Sequence, residues 1–133
     1  MRALILSLAL LCSALAQGER GFQTPSGNIH CMIYALDGNW EIRCDILQTT
    51  NRPPVRPADC TLDWGNAFFM TPTGRAARIC HGDTVANPNH PKLAYGQTLS
   101  YQGFTCVSRT TGLRCTNKSG RGFELSRARQ VVF

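Results

Sequence analysis

Residues 28–47, N-I-H-C-M-I-Y-A-L-D-G-N-W-E-I-R-C-D-I-L, decide the fold. Asp37-Gly38 at the centre of this stretch is a residue pair that tolerates positive φ, which a tight two-residue hairpin turn requires. With those two residues as the loop, Leu36 faces Asn39. Counting outward, His30 then faces Asp45, and Cys31 faces Cys44 at a non-hydrogen-bonded position. Cα atoms at such a position lie about 4.5 Å apart, within disulfide reach. One face reads Cys31, Ile33, Ala35, Trp40, Ile42, Cys44, Ile46, and Glu41, Arg43 and Asp45 point the other way. Alternation of this kind predicts one buried face and one wet face.

A second stretch follows the same logic. Phe104-Thr105-Cys106-Val107 and Leu113-Arg114-Cys115-Thr116 flank Arg109-Thr110-Thr111-Gly112. A two-residue Thr110-Thr111 loop sets Cys106 opposite Cys115. A three-residue loop with Gly112 in a bulge shifts the register by one. Ser119-Gly120-Arg121-Gly122 then turns the chain into a last strand carrying Phe123 and Leu125. Between the two hairpins, residues 64–70 and 75–80 flank a Thr71-Pro72-Thr73-Gly74 turn. Helical periodicity is nearly absent, and turn signals recur through the chain. The expected fold is all-β: a small, disulfide-stapled sandwich or partly open barrel of about eight to ten short strands. Pro-rich connections at residues 50–59 and 86–92 divide it into three hairpin-centred blocks. The aromatic residues Trp40, Trp64, Phe68, Phe69, Tyr95, Tyr101 and Phe104 could line a binding groove, but in a domain of this size most of them are expected to supply the core.

The first sixteen residues read as a signal peptide. Arg2 is followed by an uncharged, mostly apolar run to Ala16, too short to span a bilayer, and Ala14-Leu15-Ala16 has the form of a cleavage site. Leu11 before Cys12 is too large for a lipoprotein cleavage site. Residues 17–133 are then the expected single exported domain, periplasmic or extracellular, with no transmembrane segment. They hold the six cysteines Cys31, Cys44, Cys60, Cys80, Cys106 and Cys115. An even count in an exported chain points to three disulfides. The hairpin registers select Cys31–Cys44 and Cys106–Cys115, which leaves Cys60–Cys80. That last bond closes the longest loop and is expected to be the costliest to lose. No C-x2-C pair offers zinc its usual spacing, and neither metal nor cofactor is expected.

Charge is unevenly spread. Residues 17–104 balance, whereas residues 105–133 carry Arg109, Arg114, Lys118, Arg121, Arg127 and Arg129 against Glu124 alone. These six are candidates for one anion-binding patch facing an anionic envelope polymer or lipid surface. Nothing signals specific nucleic-acid binding.

Several segments together resemble a family of small secreted bacterial proteins of unknown function. They are Phe22-Gln23-Thr24-Pro25-Ser26-Gly27-Asn28-Ile29-His30-Cys31, Arg43-Cys44-Asp45-Ile46, Asp63-Trp64-Gly65, Cys80-His81-Gly82-Asp83-Thr84, Tyr95-Gly96, Gly103-Phe104-Thr105-Cys106, Gly112-Leu113-Arg114-Cys115 and Gly122-Phe123-Glu124-Leu125-Ser126-Arg127. The resemblance spans nearly all of residues 17–133 and implies no activity. His30 stands where the family favours a small residue, which argues against a shared role for it.

No G-x-S-x-G, H-E-x-x-H, P-loop or EF-hand pattern occurs. His30 opposite Asp45 is one candidate acid–base pair on the wet face. His81 with Asp83, and Asp59 or Asp63 near by, is a candidate polar site, although Cys80-His81-Gly82-Asp83-Thr84 also reads as a turn. His90, between Pro88 and Pro91, is expected to be solvated. The favoured function is therefore a non-enzymatic binding or interaction module of the cell envelope. The alternatives are a small hydrolase built on one of the His/Asp pairs, and a protein inhibitor.

Overall fold

The computed structural model describes residues 18–133. The expected signal peptide and Cys12 lie outside the described residues. Ten strands follow one another: β1 (Arg20–Gln23), β2 (Ile29–Leu36), β3 (Asn39–Ile46), β4 (Ala67–Met70), β5 (Ala77–Arg78), β6 (Thr98–Tyr101), β7 (Phe104–Arg109), β8 (Gly112–Thr116), β9 (Gly122–Leu125) and β10 (Gln130–Val132). They form two antiparallel five-stranded meanders, β1-β2-β3-β4-β5 and β10-β9-β8-β7-β6. The first two hairpin blocks thus share a sheet. The sheets do not close into a barrel; their apolar faces meet in one core, so the architecture is a sandwich.

Cys31 pairs with Cys44 and His30 with Asp45 in the β2–β3 register, across a turn in which Asp37 has φ 50° and Gly38 φ 78°. These two positive φ values match the right-handed twist of the strands on either side. In the β7–β8 hairpin, Cys106 pairs with Cys115 and Arg109 with Gly112, which makes Thr110-Thr111 the loop. Disulfides join Cys31 to Cys44, Cys60 to Cys80 and Cys106 to Cys115. The first and third are fully buried and meet across the sandwich: the sulfurs of Cys31, Cys44 and Cys115 lie within 4.8 Å of one another. Disulfide sulfurs carry no thiolate, so this cluster has no charged ligand to offer a metal. Beside them Phe68 of one sheet meets Phe123 of the other at 5.9 Å between ring centres.

The face predicted to be wet is not wet along its length. His30, Arg43 and Asp45 are all buried. Residues 83–92, in the connection from β5 to β6, strap the outer side of the first sheet and cross β3, β2 and β1 in turn. Over β3, Arg43 and Asp45 bind residues 83–85. Over β2, the Asn87 N–H donates to Nδ1 of His30 at 3.2 Å. At β1, the Gln23 amide donates to the carbonyls of Pro88 and His90, and Gln23 bridges Lys92 in parallel. Strand alternation tells which side chains leave the core, not what later covers them. His90, expected in solvent, instead lies half-buried against Gly21, where any Cβ would come within 2.3 Å of its ring.

The aromatic expectation also needs revision. Phe68 and Phe104 are core residues, and Trp40 and Tyr101 pack on its edge. Trp64 and Phe69 are only half-buried, and Tyr95 is 50% exposed. Phe22 and Phe123 complete the core instead.

Candidate functional site

The rings of His30 and His81 have internal partners on both nitrogens, whereas the buried Nδ1 of His90 has none among the described residues. In His30, Nε2 donates to the Gly27 carbonyl at 2.9 Å and Nδ1 accepts from Asn87, which fixes the tautomer. Its register partner Asp45 bonds elsewhere. It receives two hydrogen bonds from Arg43, at 2.9 and 3.1 Å, and one each from the Thr84 hydroxyl and the Val85 N–H. His81 is buried; its Nδ1 donates to the Asp83 carbonyl at 2.7 Å, and its Nε2 lies 2.8 Å from the Asn66 side-chain amide. The Asp83 carboxylate turns away to Arg43 at 2.7 Å, and that guanidinium holds it below the usual carboxylate range. Burial pulls the pKa of Arg43 down, but the hydrogen bonds and charges of Asp45 and Asp83 outweigh it and raise it above the ordinary value. Neither His30–Asp45 nor His81–Asp83 is thus a side-chain pair. Asp63 meets His81 through backbone hydrogen bonds, N–H to carbonyl in both directions. Arg43, which the sequence marks as an alternating polar residue and as part of the Arg43-Cys44-Asp45-Ile46 segment, is the hub that ties the strap to β3.

The six basic residues of the C-terminal part separate. In a meander, successive turns alternate between the two ends of the sheet. Arg109, Arg127 and Arg129 belong to the β7–β8 and β9–β10 turns at one end. Lys118 and Arg121 sit in the β8–β9 turn at the other. Arg114 lies between, paired across strands with Glu124 at 3.0 Å and with its guanidinium 4.3 Å from the Phe133 ring centre.

The first of these ends is concave. A cleft of about 500 Å³ opens between the turn joining β1 to β2, the tip of the β7–β8 hairpin, the turn after β9, and Tyr95. Its walls are fixed from within. The Ile29 N–H donates to the Thr24 hydroxyl, and Asn28 exchanges hydrogen bonds with the backbone of Gln48. The Ser126 hydroxyl accepts from the Arg129 N–H, and the Thr50 N–H donates to the Arg127 carbonyl. Gly112, at φ 140°, lets the hairpin tip press on β9; a Cβ there would meet the Leu125 carbonyl oxygen at 2.4 Å.

Tyr95, Arg109, Thr110, Thr111 and Arg127 also line the cleft, and all five are exposed. Among the described residues their side chains make no hydrogen bond or ion pair, and no acidic residue lines the cleft. Two guanidinium groups at one concave site can hold a phosphate or carboxylate by paired N–H donors. Counting charges along the chain found Arg109 and Arg127. It could not join them to Tyr95, or to Thr24, Ser26, Asn28 and Ser126, because only the fold brings these segments to one cleft.

Compared with known proteins, residues 3–133 match the model of a family of unknown function (DUF6636). No curated protein and no solved structure matches the chain. Among the described residues no helix is long and apolar enough to cross a membrane.

Proposed function

We infer that this chain, which belongs to the family of unknown function DUF6636, is a non-enzymatic binding module of the bacterial cell envelope that takes an anionic group between Arg109 and Arg127. The observation that carries this reading is the pair of exposed arginines, without a carboxylate partner among the described residues, in one cleft with prearranged walls. Arg43, by contrast, is consumed in a buried network and Arg114 in a cross-strand pair. An envelope setting is supported by the form of residues 1–16 and by three disulfides, which persist where the medium is oxidising. Envelope polymers carry the phosphates and carboxylates that this chemistry holds.

The test is binding of the oxidised protein to lipopolysaccharide and polyglycerol phosphate across a salt series. Affinity should fall as salt rises, because the attraction is screened beyond about 8–10 Å. Arg109→Gln with Arg127→Gln should weaken binding by about tenfold or more, the loss of one or two charge-assisted contacts. Lys118→Gln with Arg121→Gln, at the opposite end, removes the same charge and should leave affinity within about twofold. Equal losses in the two double variants, or binding that ignores salt, would dismiss the cleft.

A further inference from the structure

We propose that the cleft takes a single glycosyl unit bearing an anionic group, with Tyr95 as the platform for the sugar ring and Arg109 and Arg127 on the charge. This rests on the anion-binding reading above and adds to it the chemistry of the rest of the ligand.

An anion alone needs no more than donors and charge. This cleft is larger than that, at about 500 Å³, inside the range of sites for small organic ligands. Its remaining free groups are neutral and of two kinds. Thr110 and Thr111 present hydroxyls, each able to donate and accept, at the hairpin tip. Tyr95 presents an aromatic face with a hydroxyl at its end and is half-exposed although it takes no part in the core. A sugar ring matches both kinds, with C–H groups on its faces and hydroxyls around its rim.

Other ligand classes fit less well. An acyl chain needs apolar walls, and among the described residues the only large aliphatic side chain lining the cleft, Ile29, is buried. A peptide added as a strand needs an unpaired sheet edge, whereas the cleft is lined mainly by turns. A nucleic-acid strand needs a basic track, and the basic residues divide between two ends of the sheet.

The experiment is calorimetric titration of the oxidised protein with glucose 6-phosphate, glucuronate and N-acetylmuramic acid. Glucose and inorganic phosphate serve as the ring and the charge alone. At least one anionic sugar should bind about tenfold or more tighter than either control. Tyr95→Ala should reduce that sugar's affinity to the level of inorganic phosphate and leave phosphate binding unchanged, and Tyr95→Phe should retain the preference. Tyr95 lies outside the core, so near-ultraviolet circular dichroism of both variants should keep the native signature of the buried aromatic residues. Inorganic phosphate binding as tightly as every anionic sugar, with Tyr95→Ala silent, overturns the glycosyl inference and leaves anion binding standing. Absence of binding by all anionic probes overturns both. Glucose equal to the anionic sugars, with Arg109→Gln and Arg127→Gln silent, removes the anionic part.

Discussion

Replacing the disulfides one at a time by paired Cys→Ser substitutions sets chain entropy against burial. The bonds span 20 residues for Cys60–Cys80, 13 for Cys31–Cys44 and 9 for Cys106–Cys115. The loop-closure relation assigns them about 3.3, 2.9 and 2.6 kcal/mol at 25 °C. By that measure alone the longest loop matters most, but only by about 0.7 kcal/mol. Burial reverses the order. Cys80 is exposed, and the Cys60 sulfur lies 3.7 Å from the carbonyl oxygens of Leu62 and Asp63, so a serine hydroxyl at 60 finds an acceptor. Cys31, Cys44, Cys106 and Cys115 are fully buried among apolar groups. Two serines there can satisfy each other once, leaving one buried hydroxyl donor unpaired at about 1–3 kcal/mol. The expected losses are thus about 3 kcal/mol for C60S/C80S and about 4–6 kcal/mol for C31S/C44S or C106S/C115S. Urea unfolding at neutral pH measures all three, with an unchanged denaturant slope as the check that the same transition is compared. A C60S/C80S variant less stable than both core variants would refute the reasoning and restore loop length as the controlling quantity.

Two further predictions concern the strap. Asp45→Ala leaves the buried Arg43 guanidinium with only the exposed Asp83 as a counter-ion and strips the Val85 N–H and Thr84 hydroxyl of their acceptor. It should cost about 3–5 kcal/mol in urea unfolding, and a loss under about 1 kcal/mol would mean that the network is not holding the strap. His90 is held below its ordinary pKa, first by burial and then by electrostatic coupling to His30, whose ring centre is 6.3 Å away; Glu19 opposes the shift. The native state therefore prefers neutral His90. Its contribution is complete above the unfolded value of about 6.5 and declines as pH falls through that value toward the folded one. His90→Gln should flatten the pH dependence of stability between about pH 7 and 5, and an unchanged profile would assign that dependence to other groups.

The central hairpin was legible because two local signals agree. Asp37-Gly38 fixes the turn, and alternation fixes which side chains face inward, so every pair from Leu36–Asn39 to His30–Asp45 follows by counting. Weaker signals left gaps. Gln102 and Gly103, at φ 50° and 88°, form the tight turn between β6 and β7, but Gln-Gly is a less familiar turn pair than Asp-Gly, and β6 has only four residues. The wet-face error has a different origin. Arg43 and Asp45 are the same side chains whether water or a hydrogen-bonding strap lies over them, since a polar group tolerates burial once it is paired. The partner that decides the matter, residues 83–85, lies about forty positions later in the chain.

For the proposed cleft, composition marked Arg109 and Arg127 but grouped them with basic residues that the fold places elsewhere. Six basic groups within residues 105–133 look like one patch when only distance along the chain is counted. In an antiparallel meander that distance misleads, because consecutive turns point in opposite directions while alternate turns share an end. Arg109 and Arg127 are eighteen positions apart yet meet at one cleft. Arg114 and Lys118 are only four apart, yet one lies mid-strand and the other at the far turn. At about 3.3 Å per residue, a strand as short as β8 still separates the two ends by more than the range of an exposed charge at physiological salt. Parity of turns was available once the strands were placed, and it would have isolated Arg109, Arg127 and Arg129 from Lys118 and Arg121. Parity would not have found Tyr95, Thr24 or Asn28. These come from the connection between the sheets and from the other sheet, and they reach the cleft only because the two sheets pack face to face. Arg109, Arg127, Thr110 and Thr111 are thus written in one sheet's meander, and Tyr95, Thr24 and Asn28 join them only through the packing of both sheets.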